Sequence, residues 1–231
     1  MNKKLVLMIG LLAVFLFIGG QALAASVDVY GEGAYTDTEF VVYIYADIND
    51  SNIYSFGVKL TYNPDQLTVD SAEKNTDVWF MGDSPENSYP YMDPDTNTPG
   101  EVIIIGGKLK TSEPKAGVGG TRVLLGKVTF SRKTSDDITG LSLTFAKTDK
   151  YKNFVTTDDP PRILDDETEG ISFREVKIAE RGDANGDGGI DVADYIAVRN
   201  LLNSTDFPPY ADCNGDGSVD VADYICIRNK L

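Results

Sequence analysis

The sequence predicts two modules of opposite character: an all-β sandwich of the jelly-roll kind over residues 26–178, and a small all-α module of two loop-helix repeats over 183–231, with 179–182 as linker. Two observations carry this. Residues 26–178 hold eight or nine short β-branched and aromatic runs between turn signals, with no sustained helical period. The last fifty residues are one acidic unit written twice: 182–202 aligns with 211–231 at an offset of 29, and 14 of 21 positions are identical.

At the start, Lys3-Lys4 precede a 14-residue apolar run over 5–18, then Ala22-Leu23-Ala24. A charged head, a short apolar run and an Ala-x-Ala site predict a signal peptide over 1–24, cut after Ala24. The alternative, a membrane anchor, needs a longer apolar stretch. The expectation is a secreted chain with no membrane association after cleavage. Cleavage removes two lysines and no acid, taking the formal charge from −15 to −17. Such a chain is no nucleic-acid binder, since that needs clustered Lys and Arg.

The strand candidates are 27–30, 40–45, 53–62, 66–69, 102–105, 122–130, 141–145 and 170–176. Residues 53–62 alternate cleanly, with Tyr54, Phe56, Val58, Leu60 and Tyr62 on one face, as a half-buried strand should. Turn signals at Asn63-Pro64-Asp65, Thr98-Pro99-Gly100 and Asp159-Pro160-Pro161 separate the runs. Trp79, Phe80, Tyr89, Tyr91 and Tyr151 have two readings, sugar-stacking platforms or rings that line a loop core.

No histidine is present, which excludes Ser-His-Asp and Cys-His catalysis and every His-ligated zinc site. Gly82-Asp83-Ser84 therefore reads as a turn. The expectation is no enzyme and no catalytic residue, although a glycoside hydrolase needs only two facing carboxylates and stays open among 36 acids.

Each repeat opens with a twelve-residue loop that presents oxygens at the positions calcium uses. In the first, Asp183, Asn185, Asp187, the Gly189 carbonyl, Asp191 and Asp194 are the candidate ligands of one Ca2+. In the second they are Asp212, Asn214, Asp216, the Ser218 carbonyl, Asp220 and Asp223, for a total of two ions. Gly188 and Gly217 take the sixth place, where the turn is sharpest. Ile190 and Val219 should point into a core. One helix follows each loop, expected over 192–203 and 221–231; no helix precedes either, because 177–181 is short and Pro208-Pro209 interrupts the other approach.

The two cysteines, Cys213 and Cys226, replace Ala184 and Ala197 of the first repeat. They read either as a disulfide pinning loop to helix or as two buried thiols.

Paired loop-helix units closing on Asp resemble dockerin modules across 181–231. The opening Val27-Asp28-Val29, the strand and turn over 54–67 with its Tyr62-Asn63-Pro64 and Leu67, and the glycine-led stretch 117–130 resemble the cohesin family. The first resemblance implies two calcium ions and, as partner, a cohesin domain of another protein, met through Val192, Ala193, Arg199 and Asn200 or their counterparts Val221, Ala222, Arg228 and Asn229. Tyr195, Ile196, Tyr224 and Ile225 are expected to pack the two helices together. The second resemblance implies a dockerin of another protein as partner of 26–178. Together they imply a non-catalytic adaptor in extracellular polysaccharide degradation, with polysaccharide as a further partner. The alternative is a carbohydrate-binding sandwich tethered through a dockerin.

Overall fold

The computed structural model describes residues 26–80, 93–108, 117–146 and 153–231. The signal segment 1–24, Gly82-Asp83-Ser84, Tyr89, Tyr91 and Tyr151 lie outside the described residues.

The first module is built of β1 (Val27–Tyr35), β2 (Glu39–Thr61), β3 (Leu67–Lys74), β4 (Glu101–Gly107), β5 (Val118–Arg132), β6 (Ser142–Phe145), β7 (Val155–Thr156) and β8 (Ile171–Glu180). The expected strands 40–45 and 53–62 are one 23-residue strand, β2, which serves both layers. Its first half pairs with β1 and β5; its second half pairs with β4 on one side and with β6 and β7 on the other. Register breaks between Ile48 and Ile53, across the exposed Asn49, Asp50 and Asn52, and there the strand passes from one sheet to the other. The larger sheet runs β3-β5-β2-β1-β8 and the smaller β4-β2-β6.

Alternation decides what lies between the layers. Phe40, Val42, Ile44 and Ala46 from the first half of β2 join Phe56, Val58 and Leu60 from the second in one buried cluster, with Val102, Ile104, Val128, Phe130 and Leu143. Each large side chain buried there contributes about 1.5–3 kcal/mol. Phe56 lies so close over Gly106 that any Cβ at that position would collide with its ring. Tyr54, expected on the inward face, is only partly buried, because the register shift between Ile53 and Ser55 turns it aside.

β8 runs parallel to β1 and places the second module. The expected linker 179–182 is no free spacer: Ala179 and Glu180 end β8, paired with Ala34 and Tyr35. The Arg181 amide then donates to the Tyr35 carbonyl at 2.8 Å, and the Gly182 amide to the Tyr210 carbonyl at 2.8 Å. The helices are α1 (Val192–Leu201) and α2 (Val221–Lys230), slightly shorter than expected. α1 stops where Leu202 leaves helical geometry and Asn203 takes a φ of 61°. Equivalent residues of the repeats, Ala184 with Cys213 and Val198 with Ile227, fill a small core with Ala211 and Val219.

Candidate metal centres and the junction behind them

The loops are held open by their own carboxylates. In loop 1, Asp183 is buried; its Oδ1 accepts from the Asp187 amide at 3.1 Å and its Oδ2 from the Gly188 amide at 3.0 Å. Asp194, fully buried, accepts from the Asn185 amide at 3.0 Å and the Asp191 amide at 2.8 Å. Asn185 Oδ1 and Asp187 Oδ1 accept from the Asp187 and Gly189 amides. Loop 2 repeats the scheme: Asp212 accepts from the Gly215, Asp216 and Gly217 amides, and Asp223 from those of Asn214 and Asp220.

The same residues start the helices. Asp191 and Asp220 accept from the Ala193 and Ala222 amides at 2.6 Å, while Asp194 and Asp223 reach back to complete a capping box. Loop order and helix start are therefore one structure. Val219 is buried and Ile190 packs beside it, as their place in the loops requires.

The donor set is oxygen only, with two buried carboxylates per loop and an exposed rim of Asn185, Asp187, Gly189 and Asp191 or Asn214, Asp216, Ser218 and Asp220. Among the described residues no three His, Cys, Asp or Glu side chains already converge on one point. Each set is completed by an asparagine and a backbone carbonyl, which suits a hard, oxygen-seeking cation. Burial pushes the Asp183 carboxyl up against the pull of its backbone donors, and the nearby Asp194 charge adds to the rise. Burial also pushes Asp212 up. Charge concentrated in this way is what a divalent ion offsets.

The eight candidate contact residues, Val192, Ala193, Arg199, Asn200, Val221, Ala222, Arg228 and Asn229, all lie exposed on the helices. Ile196 and Ile225 correct the expectation. They do not pack helix on helix but stand 47% and 43% exposed, one turn along from Val192 and Val221 at 62% and 61%. The position one residue before each isoleucine faces the partner helix instead, and there Tyr195 and Tyr224 meet.

Cys213 and Cys226 are bonded, tying loop 2 to α2. Trp79 and Phe80 are buried rather than displayed. The Trp79 indole N–H donates to the Leu124 carbonyl at 3.0 Å, and its ring meets Phe56 edge-on at 4.7 Å. They line a loop core and form no stacking platform.

Sequence reasoning missed the junction between the modules. The Arg122 guanidinium makes paired 2.7 Å bonds to Glu32, donates to the Phe207 carbonyl, meets Asp206 at 2.7 Å and lies 4.2 Å over the Tyr45 ring. The cavity beside it, about 480 Å³, lies between Tyr43 and Tyr45 of β2 and the segment from Thr205 to Pro209. Arg181, which is buried, donates to the Asp212 carbonyl at 3.0 Å and to Glu39 at 3.2 Å. Tyr210 packs between Ala34 and Ala179. The one available signal was a break in the repeat, since Arg181 and Tyr210 are equivalent positions with unlike side chains.

Residues 181–231 match the dockerin type I domain family. No curated protein matches the chain. Among solved structures, the chain is similar to the seventh ScaB type I cohesin from Pseudobacteroides cellulosolvens, at 18% identity over 67% of this chain and 92% of that one, with a TM-score of 0.42. It is similar to the sixth cohesin of Acetivibrio cellulolyticus scaffoldin B, solved in complex with a Cel5 dockerin, at 12% identity over 67% and 97%, with a TM-score of 0.45. A cohesin module from a Clostridium perfringens family 33 glycoside hydrolase aligns at 17% identity over 52% and 81%, with a TM-score of 0.40.

Proposed function

We propose that this chain is a secreted, non-catalytic adaptor that joins proteins outside the cell: its tail is a calcium-dependent plug for a cohesin domain of another protein, and its sandwich a socket for another protein's dockerin. The observation that carries the plug is the pair of loops whose buried carboxylates both line a cation site and cap the helix bearing the exposed contacts. The family match over 181–231 supports it. The bridged Cys213 and Cys226 suit an oxidising compartment, as the signal reading of 1–24 requires.

Two calcium ions fit, one held by Asp183, Asn185, Asp187, Gly189, Asp191 and Asp194, the other by Asp212, Asn214, Asp216, Ser218, Asp220 and Asp223. Bound calcium supplies positive charge where each loop gathers negative charge. Asp194 and Asp223 hold the first turn of the helix beside it, so ordering the loop orders the contact face. Val192 with Ile196, and Val221 with Ile225, then offer small apolar patches, with Arg199 and Arg228 as directional donors on the same helices. A setting in polysaccharide breakdown belongs to this proposal.

Calorimetry of the full chain against cohesin and dockerin domains, with and without chelator, tests it. Cohesin binding that vanishes with chelator and returns with calcium is expected. Binding indifferent to calcium, or retention on insoluble glycan in place of either protein, overturns it.

A further inference from the structure

The two loops are near-copies in sequence, yet they stand in unequal electrostatic surroundings. Each module approach lends a side chain to the opposite loop. Arg181, which precedes loop 1, lies across loop 2, with its Nη1 3.1 Å from where a Cβ on Gly215 would sit. Tyr210, which precedes loop 2, lies across loop 1, its hydroxyl 3.3 Å from the same place on Gly186. The exchange is symmetric in position and asymmetric in charge. The Arg181 guanidinium comes within 3.7 Å of the Asp212 carboxylate, the first candidate ligand of loop 2. Near loop 1 the cation is Lys177, whose ammonium sits 5.3 Å over the Tyr210 ring and beside Gly186 rather than on a ligand carboxylate.

We propose that Arg181 makes the loops unequal toward calcium, so that loop 1 fills first and loop 2 fills only as the ion displaces the guanidinium from the Asp212 carboxylate. This rests on the calcium reading above. A fixed positive charge near 4 Å from a ligand opposes a divalent cation strongly when both are shielded from water, and Arg181 is buried. Displacement leaves the arginine a partner, because Glu39 of β2 already holds its Nη2 at 3.2 Å. Filling loop 2 therefore shifts Arg181 toward the sandwich, and the sandwich is part of the second site.

The Gly188 and Gly217 amides each donate to the first carboxylate of their own loop, at 3.0 and 2.9 Å, so their nitrogen-15 NMR peaks report the loops separately. In a calcium titration of the full chain, the Gly188 peak should move at about tenfold lower free calcium than the Gly217 peak. Arg181→Gln should close that gap and Arg181→Lys should keep it. Glu39→Gln, which leaves the guanidinium to Asp212 alone, should widen it and serves as the test if Arg181→Gln does not fold. Peaks that move together in the native chain, or a gap that survives Arg181→Gln or ignores Glu39→Gln, overturn the proposal. Peaks that ignore calcium altogether overturn the calcium reading itself.

Discussion

Tyr195 and Tyr224 stack with ring centroids 3.6 Å apart and planes 27° from parallel, at equivalent places in the two repeats. The pair lies where α1 and α2 face each other. At the offset of 29, Val192 and Ile196 correspond to Val221 and Ile225, four side chains that are all exposed. The tail thus carries the same exposed residues on both helices.

Because the faces are equivalent, replacing Val192 and Ala193 together with Asp should change cohesin affinity by less than about threefold. Replacing Val221 and Ala222 as well should weaken it by more than about a hundredfold, since no intact apolar anchor remains. Isothermal titration of the full chain decides. A single pair that abolishes binding removes the two-way mode.

Gly188 and Gly217 hold φ values of 100° and 91°, and no atom lies within 4 Å of where either would place a Cβ. The cost of Ala there is backbone strain alone, about 1 kcal/mol each, whereas Asn should cost less. Thermal unfolding of the calcium-loaded chain measures it. Equal losses for Ala and Asn would mean the turn does not need its glycine.

The Cys213–Cys226 bond closes a short loop, with a sequence separation of 13. Replacing both residues with Ala should cost about 3 kcal/mol of plug stability. Saturating calcium should restore much of the lost order, since ligand binding adds stability by mass action. Denaturant unfolding followed by circular dichroism, at low and high calcium, separates the two contributions.

Arg122→Met removes the paired bonds to Glu32 and the tie to Phe207 in one step. Glu32 then keeps a partly buried charge without its cation, a loss of about 2 kcal/mol. The contact with Asp206, which is 76% exposed, adds little. NMR relaxation should show the plug and sandwich tumbling at different rates in the variant and together in the native chain. Arg122→Lys should rescue poorly, because an ammonium cannot match the paired geometry.

Local pattern carried much of the architecture. The alternation through Phe56, Val58 and Leu60 and the repeat at offset 29 were enough to predict a sandwich and two loop-helix units. Loop residues were legible because each acts on amides within its own twelve-residue loop. What depends on distant partners was not. That β2 serves both layers depends on Asn49 to Asn52, which look like a loop until their neighbours pair. The exposure of Ile196 and Ile225 follows from the side on which the helices meet, and their repeat spelling is silent on that. Arg122 and Arg181 sit in ordinary strand and turn sequence, and their partners lie up to 142 residues away.

Only Arg181 and Gly182 separate β8 from the first loop, and this governs how far apart bound partners are held. Flexible tethers let end-to-end distance grow only with the square root of length. A stiff coupling instead adds a constant increment per unit and holds each partner at a set bearing to the next. Assemblies made through this chain would extend like jointed rods, with their reach decided at Arg122 and Arg181 rather than by the composition of a linker.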